Sequence, residues 1–229
     1  MNQTVLVCDN SSFACDLSVS LRDRGASVFL LVPPEQMYGT NETVVTDSGN
    51  AMLVWNRPSA LSARTIVVAL KNRSEGQSQS VFVLDGPDLI RTILANKKDS
   101  ASDVAFTAET ASLIDEYIRG LYLLVSEIAK CYREKGAGRL VFILKPVDAA
   151  SSFLVAGMIE SAFIRLADEI TKDFASTGLL SLQSMLIKIE DNEKEDVLSW
   201  TVERILSYGS ERTVTRWIKA GSKGLFGKF

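Results

Sequence analysis

Thr4–Val32 reads TVLVCDNSSFACDLSVSLRDRGASVFLLV, and this stretch decides the fold. Thr4–Cys8 is a short apolar, β-branched run suited to a strand buried on both faces. Asp9-Asn10-Ser11-Ser12 follows, a cluster of side chains that accept hydrogen bonds from the first amides of a helix. Apolar residues then recur at Phe13, Leu17 and Leu21, a helical spacing, and Gly25 after Arg24 is a C-terminal stop. Ser27–Val32 is a second buried strand. Strand, helix and strand in so short a span form a βαβ crossover, which implies a parallel sheet.

The rhythm breaks at Pro33–Asn50, which holds two prolines and several turn formers without helical periodicity. Glu42–Thr46 and Ala51–Trp55, joined by Asp47-Ser48-Gly49-Asn50, are placed to form a hairpin. Ser59 is an N-cap for a helix from Ala60 to about Lys71, Ser74–Ser80 reads as a polar loop, and Ser80–Leu84 is a buried strand ended by Asp85-Gly86-Pro87. A short helix over Leu89–Ala95 and a polar loop over Lys97–Asp103 follow.

Two long helices come next. From about Ala108 to Glu134 the stripe is Ile114, Ile118, Leu121, Val125, Ile128 and Tyr132, widened by Leu113, Tyr117 and Leu124. Gly136 and Gly138 end it, and Arg139–Leu144 is the next strand. From about Ser152 to Phe174 the stripe is Val155, Ile159, Ala162, Leu166 and Ile170, widened by Leu154, Met158 and Phe163. Faces this wide exceed what packing on one sheet needs. They call for deep burial in a large core or for contact with another subunit. Ser181–Ile189 is a late strand, Glu193–Leu206 an amphipathic helix, Thr213–Ile218 a last strand and Lys219–Phe229 a tail expected to fray. No linker divides the chain, so residues 1–229 are expected to form a single domain.

Composition narrows the chemistry. The 229 residues are 46% apolar and 23% charged, ordinary for a globular protein, and the formal charge of −3 supplies no field for nucleic acid. No apolar run approaches the length that spans a bilayer. The opening Met-Asn-Gln lacks the pattern of a signal peptide. Cys8, Cys15 and Cys131 are odd in number and not in C-x-x-C spacing, so a cytoplasmic, reducing location is expected. The chain has no histidine, which excludes Ser-His-Asp and Cys-His nucleophiles and histidine metal ligands, and no metal is expected.

In this order, the elements resemble the short-chain dehydrogenase/reductase family over nearly the whole chain. TVLVCDNSSFACDLSVSLRDRGASVFLLV looks like that family's first strand, cofactor turn, helix and second strand. SVFVLDGPD resembles the strand leading to its Asn-Asn-Ala-Gly segment. IDEYIRGLYLLVSEIAKCYREKGAGRLVFI is similar to its long helix and following strand, and AFIRLADEI to the helix that carries Tyr-x-x-x-Lys. The resemblance implies a Rossmann-like, doubly wound parallel sheet in three αβα layers, here with a modified segment after the second strand.

The family's functional residues do not carry over. Its Gly-x-x-x-Gly-x-Gly turn falls on Asp9, Phe13 and Cys15, with Ser11 and Ser12 between. Those glycines let backbone and helix N-terminus approach a pyrophosphate. Phe13 puts a ring near that approach, and Asp9 sets a carboxylate beside a dianion or caps the helix itself. Asn56, or Trp55 with a one-residue shift, matches the family's adenine-contacting Asp. Glu35 is the only charge near its ribose-reading position. The Asn-Asn-Ala-Gly segment falls on Leu84, Asp85, Gly86 and Pro87. The catalytic Tyr and Lys fall on Ser152 and Ala156, or on Phe153 and Gly157 one residue on; neither register offers a phenol or an amine. Lys145-Pro146-Val147 stands where a strand leads to the catalytic Ser, and Tyr117 stands near the family's Asn.

Other groups have plainer readings. Tyr117, Tyr122 and Tyr132 on the long helix, with Lys130 and Lys145 near in sequence, are core or interface tyrosines before they are a displaced catalytic pair. Asp115-Glu116, Asp168-Glu169 and the acids of 190–196 are solvated faces. Asp85 ends a central strand, either facing the ligand crevice or shaping the turn.

Two functions follow as expectations. The first is a non-catalytic protein of this fold, needing no cofactor. It would act as a structural or regulatory partner, as a homo-oligomer or with an active paralogue, through helices 108–134 and 152–174, which form the family's main interface. The second is an atypical NAD- or NADP-dependent oxidoreductase or dinucleotide sensor.

Overall fold

Eight strands lie side by side in the order β3-β4-β2-β1-β5-β6-β7-β8 in the computed structural model. The structure describes residues 3–34, 44–45, 51–73, 77–96, 108–148, 153–190, 197–207 and 215–221. The strands are β1 (Gln3–Val7), β2 (Ser27–Val32), β3 (Val44–Val45), β4 (Ala51–Val54), β5 (Gln77–Asp85), β6 (Gly138–Lys145), β7 (Leu182–Lys188) and β8 (Ile218–Lys219). All pairs are parallel except the antiparallel β3–β4 pair at one edge. Parallel strands need crossovers, and helices supply them on both faces. The strand order reverses direction between β1 and β5, so a crevice opens beyond the carboxyl ends there.

Alternating side chains of each central strand feed two cores. One holds Leu6, Leu31, Leu53, Phe82, Phe142 and Leu186 under α2 (Ala60–Arg73), α5 (Leu121–Lys135) and α6 (Leu154–Ser176). The other holds Val5, Val7, Leu30, Val81, Val141 and Ile187 under α1 (Ser12–Asp23) and α7 (Val197–Leu206). The strands read as continuous apolar runs because both faces are covered. Helix α1 ends as its sequence predicts, with Gly25 at φ +90° just past Arg24, a left-handed position that favours glycine. Among the described residues, no helix is long and apolar enough to cross a membrane.

Several boundaries move. Strand β5 begins at Gln77, inside the segment whose polar residues read as a loop. Of those side chains Gln79 is fully buried, and α7 ends above it with open carbonyls. Gln79 donates from Nε2 to the Ile205 carbonyl at 3.0 Å, and Gln3 donates from Nε2 to the Leu206 carbonyl at 3.0 Å. Arg139, also fully buried, donates from Nη1 to the Arg204 and Ile205 carbonyls at 3.2 Å. A cation at the negative end of a helix explains a charge so far from water. Ser80 and Tyr132 share a hydrogen bond at 2.8 Å, which places Tyr132 in the core rather than in a catalytic pair.

The first long helix is not continuous. It runs as α4 (Ala108–Ile114), one π turn (Asp115–Gly120) and α5. A Cβ at Gly120 would lie 2.5 Å from the Arg57 carbonyl oxygen, so the turn is pressed against the segment after β4. The apolar stripe therefore shifts there: Leu113 is buried on one side of the turn, and Leu121, Leu124, Val125 and Ile128 on the other. In α6 the core stripe is Ala156, Ile159, Phe163, Ala167, Thr171 and Phe174. Val155, Ala162, Leu166 and Ile170, read as the central stripe, lie half-buried beside it. The last strand is Ile218–Lys219, displaced from Thr213–Ile218 and paired with Ile187 and Lys188. The loop at 97–103, the acids at 191–196, Glu35, the inner part of the Glu42–Trp55 hairpin, Ser152 and 222–229 of the tail lie outside the described residues.

Candidate functional site

At the carboxyl ends of β1 and β5 two aspartates follow the same local plan. Asp9 comes two residues after β1. Its Oδ2 accepts the Ser11 amide at 3.2 Å, while Ser11 caps α1 by accepting the Ala14 amide on Oγ at 3.3 Å. Asp85 ends β5, and its Oδ1 accepts the Asp88 amide at 3.4 Å in the first turn of α3 (Gly86–Asn96). Each carboxylate thus serves orphan amides and the positive end of a helix that starts directly after a buried strand.

Each aspartate also meets a cation from a different strand end. Arg57, three residues beyond β4, reaches over β2 to place Nη2 2.8 Å from Asp9 Oδ1. The Asp9 and Arg57 side chains are only 8% and 14% exposed, so the pair is largely removed from water. The guanidinium carbon lies 4.8 Å from the Trp55 ring centroid and 4.5 Å from that of Tyr117, so it packs against both rings. Lys145, the last residue of β6, places Nζ 3.2 Å from Asp85 Oδ2 and 5.4 Å from the Phe13 ring centroid. Between them the two pairs tie β4 to β1 and β6 to β5 across the mouth of the crevice.

The remaining sequence candidates fall around this frame. Ser12 Oγ is 3.5 Å from Arg91 Nη2 on α3, and Cys15 donates its thiol to the Asn10 carbonyl at 3.7 Å. Asn56 does not reach the crevice through its backbone: its amide donates to Ser62 Oγ at 3.0 Å, securing the start of α2. Gly86 packs so closely on Pro146 and Val147 that an added Cβ would lie 2.5 Å from the Val147 amide nitrogen. That amide in turn donates to Glu160 Oε2 at 2.7 Å, which pins the segment after β6 over the start of α3. Ala156 is fully buried in the core. Phe153 flanks the N-terminus of α6, and Gly157 faces open space.

The electrostatics discourage proton transfer. Burial pushes the Tyr117 phenol up, with the Arg57 charge pulling it partly back. Burial also raises the thiols of Cys8, Cys15 and Cys131, and for Cys8 and Cys15 the Asp9 carboxylate adds to the rise. Burial lifts Asp88, which sees Asp85 and Asp9 as neighbouring negative charges and Arg91 as its partner. A phenol and thiols raised this way are poor acids near neutral pH. Among the described residues no cluster of Cys, Asp or Glu is arranged to hold a metal ion.

Sequence reading missed Arg57. The available signal was Asp9 itself: a carboxylate wedged between a buried strand and a buried helix needs a cation, and Asn56-Arg57-Pro58 offers one at a neighbouring strand end.

No family model matches the chain. A protein of Treponema pallidum (strain Nichols), described as uncharacterized, is 23% identical over 229 residues, covering 100% of this chain and 97% of that protein. Among solved structures, a short-chain dehydrogenase from Rhodopseudomonas palustris superposes with a TM-score of 0.68 at 10% identity, covering 96% of this chain and 98% of that one. A metagenomic short-chain oxidoreductase in complex with NADP gives 0.64 at 12% identity, covering 95% and 96%. A β-ketoacyl-[ACP] reductase from Bacteroides thetaiotaomicron gives 0.62 at 10% identity, covering 96% of each chain. With the strand order and the strand–turn–helix opening, these likenesses show that the chain has the short-chain dehydrogenase/reductase fold.

Proposed function

We propose that this chain is a non-catalytic protein of that fold, working without a nicotinamide dinucleotide as a structural or regulatory partner in an oligomer. The Asp9–Arg57 pair carries the reading. The carboxylate takes the amide that a glycine-lined turn would offer to a phosphate, and it already uses the arginine's donor edge. A dianion placed there meets a largely buried negative charge. The residues present do not fit a dinucleotide. Ala156 supplies no amine to tune a proton donor.

The partner surface is the flank of α6 beside the π turn. Leu154 and Met158 are 65% and 45% exposed there, and with Ile118, Phe153, Gly157 and Ala162 they line an open, mainly apolar groove of about 700 Å³. Occupation by a second copy, or by an active paralogue, removes that surface from water. The three unpaired thiols fit a reducing, cytoplasmic setting.

Titration calorimetry with NADH and NADPH tests the cofactor half. No binding tighter than ~100 μM is expected, about 5.5 kcal/mol, and tighter binding overturns it. Light scattering tests the other half: an oligomer at micromolar concentration that Met158→Glu converts to monomer is expected, and a wild-type monomer refutes self-association. The second reading, an atypical NAD(P)-dependent oxidoreductase or dinucleotide sensor, draws on the likeness to an oxidoreductase solved with NADP, and the same titration decides between the two.

A further inference from the structure

We infer that Arg57 is an oxyanion receptor which the chain fills with its own Asp9, an internal latch that shuts the crevice. The receptor is built independently of the anion. The guanidinium packs against both the Trp55 and the Tyr117 rings, and the Arg57 backbone is pressed on Gly120 of the π turn. A cation fixed this way has little freedom left to lose when an oxyanion arrives. It is also largely desolvated, so leaving it unpaired is costly.

Asp9 meets both needs from within the chain. It supplies one oxygen to Arg57 and the other to the Ser11 amide, so it is held at both ends. A tethered anion acts at a high effective concentration, and an external carboxylate or phosphate must displace it. The wild-type crevice therefore stays closed to oxyanions while retaining the cation that would bind one. The inference deepens the reading that the crevice takes no dinucleotide and rests on it. Dinucleotide titration of the wild type tests that reading; the variants below test the latch.

The experiment is a thermal-shift titration of the full chain, with sodium formate or inorganic phosphate as probe and sodium chloride at equal ionic strength as control. In Asp9→Ala, formate occupies the space of the missing carboxylate. Both probes are expected to raise its midpoint well beyond chloride, with apparent affinity at least about tenfold above wild type. In the Asp9→Ala/Arg57→Met double variant the response is expected to vanish. Should Asp9→Ala fail to fold, Asp9→Ser keeps an acceptor for the Ser11 amide while still clearing the anion's place, and the same comparison applies. A variant that responds no more than wild type, or a double variant that responds equally, overturns the latch.

Discussion

Arg57→Met separates an ion pair that holds the crevice shut from one that merely decorates it. The substitution keeps an unbranched apolar stem beside Trp55 and Tyr117 but removes the charge. Asp9 then keeps the Ser11 amide and loses its 2.8 Å partner while remaining almost out of water. Removing one member of a fully buried pair costs about 3–5 kcal/mol, and the residual exposure of both side chains points to the lower end. Loss of two cation–π contacts adds about 0.5–1 kcal/mol each, offset in part by methionine sulfur on the same rings. The net expectation is a loss of about 3 kcal/mol. For a chain of this length that lowers the thermal midpoint by roughly 6–12 °C. With a urea slope of ~3 kcal/mol per molar, it moves the urea midpoint by about 1 M. Chemical denaturation followed by circular dichroism reads it directly. In a double-mutant cycle with Asp9→Ala the combined loss is expected to fall well short of the sum. A loss under ~1 kcal/mol, or strict additivity, refutes the claim that this contact holds the carboxyl ends together.

Gly120→Ala sets two effects against each other: helix propensity favours alanine by about 1 kcal/mol, while the new Cβ meets the Arg57 carbonyl at 2.5 Å. Clash is expected to win, with a lower urea midpoint and weaker Arg57–Tyr117 packing seen in tyrosine fluorescence; a stabilised variant contradicts the observed placement of the π turn. Arg139→Met is expected to cost about 1–3 kcal/mol and to raise hydrogen exchange in α7 first, since the Arg204 carbonyl loses the Arg139 donor and the Ile205 carbonyl keeps only Gln79 of the two; uniform exchange across the sheet argues against that anchoring. Asp88 has a pKa raised by burial, so the folded chain holds this proton more readily than the unfolded one. The resulting penalty is absent below the ordinary aspartate range and complete above the raised value. Asp88→Asn is accordingly expected to gain stability relative to wild type as pH rises from about 3 to neutrality, and a relative loss over that span contradicts the assignment.

Local periodicity made most of the framework legible. Thr4–Val32 announced strand, capped helix and parallel strand, and the structure places β1, α1 and β2 almost residue for residue there. The runs at Ser80–Leu84 and Arg139–Leu144 are central strands, and the apolar character of Val81–Leu84 and Leu140–Leu144 suits a sheet covered on both faces. The missing phenol and amine around Ser152 and Ala156 were equally plain, because a residue type cannot be supplied by folding.

What the tertiary structure alone decided lies between segments distant in the chain. Asp9 and Arg57 are 48 residues apart, Asp85 and Lys145 are 60 apart, and nothing in the local pattern of either carboxylate names its cation. Only the strand order brings the ends of β4, β1, β5 and β6 together, and only then does a carboxylate find the cation that lets it remain buried. The same holds for Gln79, whose polarity spoke for a loop, and for Arg139, a charge within a strand: the carbonyls at the end of α7 supply the partners of both. Sequence pattern reports what each segment buries against water. Which polar groups can afford burial depends on the partner that the topology delivers, and that partner is not encoded nearby.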